Sequence, residues 1–210
     1  MSSKNDGVII ILSSPSGAGK TTLVKKLSNS ENFEISISYT TRIPRLSEVN
    51  GKDYFFIKNE DFNELIKKKE LLEYAEVFNN LYGSSKKKVI EKLKNGKNVI
   101  FDIDWQGTKQ IIDKNLEFKL ITIFILPPSK KTLLNRLSER ENNDVNIINE
   151  RMMKFENDVK HWIDYDYVVI NDDLEICFKE IKDLIYNKLQ DKSVAFDKDK
   201  INRHVNNLLN

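Results

Sequence analysis

The sequence is poor in several features that would mark a specialised class of protein. Among its 210 residues there is one cysteine, Cys177, so no disulfide can form within the chain. Lys and Arg number 34 against 32 Asp and Glu, a formal net charge of +2 that does not suit a polyanion binder. No apolar run is long enough to cross a bilayer, and the run at 8–12 is too short for a signal peptide. We therefore expect a cytoplasmic protein with no membrane or nucleic-acid partner, and self-association remains open.

Hydrophobic residues make up 40% of the sequence. This is enough for one core with insertions or for two small domains. Short apolar runs at 8–12, 99–103, 120–126 and 167–170 are typical of buried parallel strands, and helical stripes separate them. This alternation predicts an α/β fold, a parallel sheet flanked by helices.

Two segments break the alternation of strands and helices. Residues 39–82 are rich in Tyr, Phe, Arg and Lys, which favours an inserted β-rich unit with a short helix around Phe62. Residues 191–210 are rich in Asp, Lys and Asn, which favours a loosely attached tail with one or two helical turns.

A glycine-containing loop follows the first predicted strand and precedes a helical stripe. It comprises Ser14, Pro15, Ser16, Gly17, Ala18, Gly19, Lys20, Thr21 and Thr22. The G-x-x-x-x-G-K-[ST] phosphate-loop motif has glycine where this chain has Ser14, but the physical requirements survive. Glycines let the backbone N–H groups converge on phosphate oxygens, and the following helix adds its positive N-terminal end. Lys20 can then reach the β- and γ-phosphates of ATP, and the Thr21 hydroxyl can bind Mg²⁺. A plain strand-to-helix turn is the alternative.

A second cluster suggests a phosphate-bearing acceptor. Arg42 and Arg45 lie three apart in a loop, and guanidinium groups bind phosphate in a two-pronged manner. Tyr54 could add a hydroxyl donor. A solvated basic loop is the alternative interpretation of the arginines alone.

From residue 7 to about 189 the sequence resembles the guanylate kinase family. The resemblance rests on five elements in the family's order: T-T-R-x-P-R at 40–45, E-V-x-G-x-D-Y-x-F at 48–56 (with Ser47 in place of the family's preceding glycine), E-x-A at 73–75, Y-G-S at 82–84 and D-x-D-x-Q-G at 102–107. It implies a P-loop NTPase-type sheet with an inserted β-rich nucleotide-binding unit and a helical lid. The implied reaction is Mg²⁺-assisted, in-line transfer of a phosphoryl group from ATP to GMP, and also to dGMP.

The resemblance also implies roles for individual residues. The GMP phosphate would be held by Arg42, Arg45, Tyr54 and Tyr82, and the guanine would be read by Ser38, Glu73, Ser84 and Asp104. One carboxylate can accept hydrogen bonds from both N1–H and N2–H₂ of guanine, a donor pair that adenine lacks. Asp102, at a strand end, would act on the Mg²⁺ shell, although a structural strand-end carboxylate is the alternative.

Lid residues and an adenine contact complete the expected site. The family's lid arginines match Arg136, Arg140 and Arg151, which would act with Lys20 on the charge of the transferring phosphoryl group. The family continues with Arg-Gly, whereas here Glu141 follows Arg140. Asn171 resembles the adenine contact, and a helix cap is the alternative.

The predicted organisation combines these segments. We expect a P-loop core from 1–38, 96–128 and 160–190, a GMP-binding insert at 39–95, a lid at 129–159 and a C-terminal tail of unassigned role at 191–210. Two other functions remain open, a kinase for another nucleoside monophosphate and a non-catalytic protein-binding module of the same fold.

Overall fold

The computed structural model describes residues 6–141, 143–192, 194 and 197–210. Strands occupy β1 Ile9–Ser13, β2 Phe33–Ile35, β3 Tyr39–Thr40, β4 Phe55–Phe56, β5 Leu71–Val77, β6 Asn80–Ser85, β7 Asn98–Asp102, β8 Leu120–Leu126 and β9 Tyr167–Ile170. Helices occupy α1 Lys20–Ser28, α2 Asn59–Lys67, α3 Lys86–Lys94, α4 Trp105–Asp113, α5 Lys130–Arg140, α6 Val145–Asp158, α7 Leu174–Leu189 and α8 Lys198–Leu209, with a 3-10 helix at Val159–Asp164.

The described strands form two sheets. One has the order β2-β7-β1-β8-β9, and its β2–β7 and β8–β9 pairs are parallel, with Phe33 opposite Asn98 and Ile123 opposite Tyr167. The other has the order β4-β3-β6-β5, in which β6 pairs antiparallel with β3 and β5. The first sheet and its helices confirm the predicted α/β class, and the second is the β-rich insert expected from 39–82.

The chain divides into two compact units. The first contains the residues up to Ile11 together with Ser30–Leu120, and the second contains Leu12–Asn29 and Ile121–Asn210. Each unit has its own core: in the first, Ile11, Phe101 and Leu93 are among the fully buried side chains that hold α3 against the sheet. In the second, Phe124 and Phe155 belong to a cluster that brings α5, α6, β9 and α8 together. The predicted division into core, insert, lid and tail stays a prediction.

Local sequence signals explain most element boundaries. Ser85 caps α3 and Ser129 caps α5, each accepting a hydrogen bond from a first-turn N–H. Gly96, with φ 77°, ends α3 in the left-handed conformation that glycine favours. The hairpin between β5 and β6 turns through Phe78 and Asn79, both at positive φ, as a two-residue turn of type I′ requires.

Three expectations about the elements need correction. Ile35 and Ile37 alternate with polar neighbours, which favours a strand through both residues, but β2 ends at Ile35 and the chain then passes to the other sheet. The spacing of Ile148, Phe155 and Val159 predicts one helix face, but Val159 does not continue α6 and instead opens the 3-10 helix. The largest correction concerns 191–210: instead of one or two turns, α8 has 12 residues, capped by Asp197, and its apolar face is buried. The anchors of that face are Ile201, Val205 and Leu208.

Candidate functional site

The predicted phosphate loop lies in the second unit, between the end of β1 and the start of α1. Gly17 and Gly19 have φ values of 89° and 93°, a conformation that residues with a Cβ rarely adopt, so the two glycines shape the loop. Gly19 is also the N-cap of α1, and no side chain caps that helix end. The N-terminal end of α1, which begins at Lys20, therefore directs its positive dipole at this loop, as phosphate loops require.

Asn171 fixes this loop from the end of β9. Its side chain is 3% exposed, and its Nδ2 donates a hydrogen bond of 2.7 Å to the carbonyl of Ala18. Its own carbonyl accepts a hydrogen bond from Arg136 Nη2 at 3.2 Å. The helix-cap alternative is wrong, because Asp173 caps α7. The adenine contact stays a prediction, and the observed contacts make Asn171 a support for the loop that no short sequence motif reveals.

One of the predicted lid arginines contacts the phosphate loop directly, and two of them share one carboxylate partner. Arg151 Nη1 donates a hydrogen bond of 2.7 Å to Ser16 Oγ in the phosphate loop. Arg151 and Arg140 both pair with the carboxylate of Glu141, at 3.1 and 3.3 Å. Arg136 approaches the loop indirectly, through Asn171. The structure thus gathers the three arginines and the loop in the second unit, and it adds Glu141, which the sequence comparison marked only as a departure.

The two predicted phosphate-binding arginines of the first unit share a single carboxylate. Arg42 Nη2 lies 2.8 and 2.9 Å from the two oxygens of Glu48, and the Arg45 N–H donates to Glu48 at 2.8 Å. Burial alone would raise the pKa of Glu48, but the hydrogen bonds from Arg42 and from the Arg45 N–H lower that pKa below its ordinary value. Glu48 therefore stays ionised and shapes the loop that presents both guanidinium groups.

Two tyrosines of the predicted clamp lie beside Arg42. The Tyr54 ring is 5.5 Å from the Arg42 guanidinium carbon and 5.9 Å from the Tyr82 ring. Burial and the neighbouring carboxylate of Asp102 raise the pKa of the Tyr54 hydroxyl, so the hydroxyl stays protonated and can donate to an anion. The structure therefore brings together all four residues predicted to hold the phosphate of GMP.

A buried carboxylate lies in the same unit. Glu73 on β5 is 3% exposed and faces Ser84 on β6, whose hydroxyl lies 3.4 Å from that of Ser38. Burial raises the pKa of Glu73 to about 7, and the charge of Asp104 adds to the effect, while a hydrogen bond with Ser84 opposes it. Glu73 Oε1 is buried without a hydrogen-bond partner among the described residues. A buried acceptor of this kind calls for a donor from a ligand.

Helix α4 forms the wall behind Glu73. Gly107 belongs to that wall because a Cβ at this position would come within 2.5 Å of Glu73 Oε2. Asp104 is the N-cap of α4, with Oδ1 accepting from the N–H groups of Gln106 and Gly107 and Oδ2 accepting from Gln106 Nε2. Helix capping is thus the observed role of Asp104, and its part in reading guanine stays a prediction.

Gln110 is a functional candidate that the sequence did not indicate. Its side-chain amide makes two hydrogen bonds to the backbone of Tyr74, accepting from the N–H at 3.1 Å and donating to the carbonyl at 2.6 Å. Since β5 is the edge strand of its sheet, this pair substitutes for a missing neighbour strand. Gln110 thereby fixes the strand residue that follows Glu73.

The two residues predicted to act on Mg²⁺ are oxygen donors, which suits a hard cation. Thr21 lies exposed in the first turn of α1, and Asp102 lies half-buried at the end of β7. Within the described ranges, no group of three or more His, Cys, Asp or Glu side chains is arranged to hold a metal ion. The donor set fits an ion that arrives with the phosphates of a nucleotide and takes few protein ligands.

Comparisons with known proteins point to one family. The guanylate kinase family model matches residues 7–188. The chain is 48% identical over 186 residues to the guanylate kinase of Rickettsia prowazekii, covering 88% of this chain and 93% of that protein. The chain is also 43% identical over 207 residues to the guanylate kinase of Buchnera aphidicola, covering 97% of this chain and 98% of that protein. A guanylate kinase structure from Anaplasma phagocytophilum superposes with a TM-score of 0.72 at 34% identity, covering 88% of this chain and 87% of that one. No helix in the part of the chain that the structure describes is long and apolar enough to cross a membrane.

Proposed function

The chain belongs to the guanylate kinase family, and from this premise we propose how its own residues carry out the family's reaction. The protein catalyses ATP-dependent phosphorylation of GMP, giving ADP and GDP. The non-catalytic binding module and the kinase for another base are not favoured by the relatives, which are named as guanylate kinases. The finer proposals concern Mg²⁺, dGMP as a second acceptor, a cytoplasmic setting and the residues that do the work.

Glu73 is the observation that supports guanine as the base. Its carboxylate is buried, and one oxygen lacks a partner among the described residues, which is costly unless a ligand donates to it. Guanine offers N1–H and N2–H₂ as adjacent donors, and both can reach one carboxylate. Ser84 and Ser38, with hydroxyls 3.4 Å apart, would donate to the O6 acceptor of the same base. Adenine has the opposite pattern and would leave Glu73 unpaired.

The phosphate of GMP would be held by Arg42, Arg45, Tyr54 and Tyr82. Arg42 is already oriented by its Nη2, which donates to both oxygens of Glu48, so little side-chain freedom would be lost on binding. A protonated Tyr54 hydroxyl, kept so by its raised pKa, would add a neutral donor. This arrangement recognises a terminal phosphate whichever sugar lies between it and the base, which is why we propose dGMP as a second acceptor.

The loop from Ser14 to Gly19 and the first turn of α1 would hold the phosphates of ATP. Lys20 would neutralise the transferring phosphoryl group together with Arg136, Arg140 and Arg151. Thr21, and Asp102 through water, would hold Mg²⁺, which when bound to ATP offsets the charge of the phosphates. The reaction needs no protein nucleophile, because a GMP phosphate oxygen attacks the γ-phosphorus in line and ADP leaves. The protein supplies position and charge.

Substitution of Lys20 by methionine tests the assignment of the loop. We expect Lys20→Met to lower kcat by at least about 10²-fold, because its ammonium would act on charge that develops in the transition state, and to leave GMP affinity nearly unchanged. Lys25→Met is the matched control, since Lys25 lies exposed on the same helix and should keep its kinetics. Turnover by Lys20→Met at the rate of the unaltered chain would refute the assignment. A coupled ADP-release assay and GMP calorimetry give the two readouts.

A further inference from the structure

The end of α5 carries a carboxylate between two functional arginines. Glu141 is the residue at which this chain departs from the Arg-Gly of its family, and its side chain is 11% exposed. A single oxygen, Oε1, lies 3.1 Å from Arg151 Nη2 and 3.3 Å from Arg140 Nε. Glu141 therefore forms ion pairs with both of the arginines that we assign to the transferring phosphoryl group.

The same network reaches the phosphate loop. Arg151 is 12% exposed, and while its Nη2 faces Glu141, its Nη1 donates to Ser16 Oγ at 2.7 Å. The guanidinium is thus hydrogen-bonded to the loop and ion-paired with the carboxylate, whose Oε1 has no hydrogen-bond partner among the described residues. Arg140, with 42% of its side chain exposed, has more freedom to leave the pair.

A carboxylate and a phosphate are alternative partners for the same guanidinium. Both accept charge-assisted, two-pronged hydrogen bonds from arginine, so the two anions compete for the same N–H groups. An anion within hydrogen-bonding distance of both guanidinium groups would also repel a triphosphate that approaches them. Shielding from water strengthens the ion pairs between Glu141 and the arginines. It also makes replacement of the carboxylate by phosphate harder, because less water is present to solvate the carboxylate that is released.

We propose that Glu141 is a resident counterion that competes with the triphosphate of ATP for Arg140 and Arg151. The inference rests on the proposed ATP site in the second unit. ATP binding then proceeds by exchange, in which phosphate oxygens replace the carboxylate on the two guanidinium groups. The arginines stay neutralised in the absence of nucleotide, and the affinity for ATP is reduced by the free energy of the exchange. The exchange does not alter the affinity for GMP, because every residue assigned to GMP lies in the first unit.

The test removes the charge and retains the shape. We expect Glu141→Gln to lower the KM for ATP by about tenfold, equivalent to about 1.4 kcal/mol, and to leave the KM for GMP within about twofold. Calorimetry with a non-hydrolysable ATP analogue, without GMP, should show the same gain. Raised salt should weaken ATP binding to the variant more steeply, since its arginines then face phosphate without an internal competitor. Glu139→Gln, two residues earlier and exposed, makes the same charge change and should alter none of these values.

Other outcomes are equally decisive. A higher KM for ATP or a lower affinity for the analogue in Glu141→Gln would show that the carboxylate positions the arginines for ATP, which overturns the proposal. Unchanged ATP kinetics would overturn it as well. Glu141→Asp keeps the charge, and we expect its KM for ATP to stay closer to that of the unaltered chain. Failure of the underlying function is distinguishable, since the unaltered chain would then show no GMP-dependent ADP release in the same assay.

Discussion

Replacement of Glu73 by glutamine should make the protein more stable and a poorer enzyme. The carboxylate is 3% exposed, and burial raises its pKa from the ordinary 4.5 to about 7. The ionised form is therefore disfavoured in the folded chain, and glutamine, which has the shape of the protonated acid, does not carry that cost. A simple base-reading carboxylate outside the core would give no such stability change, and burial is the reason to expect one.

The size of the stability gain, and the pH range in which it appears, follow from the ordinary and the raised pKa of Glu73. The difference between 4.5 and about 7 corresponds to about 3 kcal/mol, at about 1.4 kcal/mol per pKa unit. Because the folded pKa is the higher one, the folded state holds more protons between these pH values, and stability falls as pH rises through that window. Glu73→Gln should consequently match the unaltered chain near pH 4.5 and exceed it by up to about 3 kcal/mol at pH 7 to 8.

Urea unfolding at pH 4.5 and pH 8, followed by circular dichroism, measures this directly. The kinetic cost should appear together with the gain in stability. The glutamine NH₂ would face a guanine donor, and a buried mismatch costs about 1–3 kcal/mol or more, so kcat/KM for GMP should fall by roughly 10²-fold. A variant that is less stable at pH 8, or whose stability difference does not change with pH, would refute the reasoning. GMP kinetics within about twofold of the original would remove Glu73 from the guanine site.

Three further changes test separate contacts. Gln110→Ala should raise the KM for GMP several-fold and leave that for ATP unchanged, because two hydrogen bonds to the Tyr74 backbone are lost beside the guanine site; an equal change in both KM values would contradict this role. Glu48→Gln should lower the free energy of unfolding by about 1–3 kcal/mol at pH 7. This difference should shrink as pH falls below the ordinary 4.5, because a lowered pKa confers stability that is lost as pH falls through it. Urea titrations at pH 7 and at successively lower pH values measure the difference. Leu208→Ala, at 1% exposure, should cost about 2–5 kcal/mol in the same titration, whereas the exposed Asn207→Ala should cost little, and equal stability of the two would contradict the packing of α8.

The sequence was most informative where one local signal decides the structure. The runs that became β8 and β9 are continuous and apolar, so their bounds were predicted without error. The serine caps of α3 and α5 are similarly local. For α8 the local signal was present but outweighed: apolar residues at 201, 205 and 208 have helical spacing, yet the polar composition of 191–210 favoured a loose tail. In a short helix, three well-spaced anchors suffice to bury one face.

Contacts between distant residues could not be predicted from the sequence in the same way. The hydrogen bond from Asn171 to Ala18 joins residues 153 apart, and Gln110 reaches Tyr74 across 36. The raised pKa of Glu73 depends on how deeply β5 is covered by α4, which is a property of packing. Glu141 shows the same limit, because the motif comparison marks it only as an unusual residue and the fold reveals its partners.

A comparison of acceptors tests the central claim most directly. ATP-dependent ADP release should be measured by a coupled assay with GMP, dGMP, AMP, CMP and UMP, each over a range of concentrations. We expect GMP to give the highest kcat/KM, dGMP to be accepted, and AMP to fall at least about fivefold and up to about 10²-fold or more below GMP, because adenine leaves the Glu73 carboxylate unpaired at a cost of about 1–3 kcal/mol or more. Comparable turnover of AMP and GMP, or no ADP release with GMP, would contradict the account.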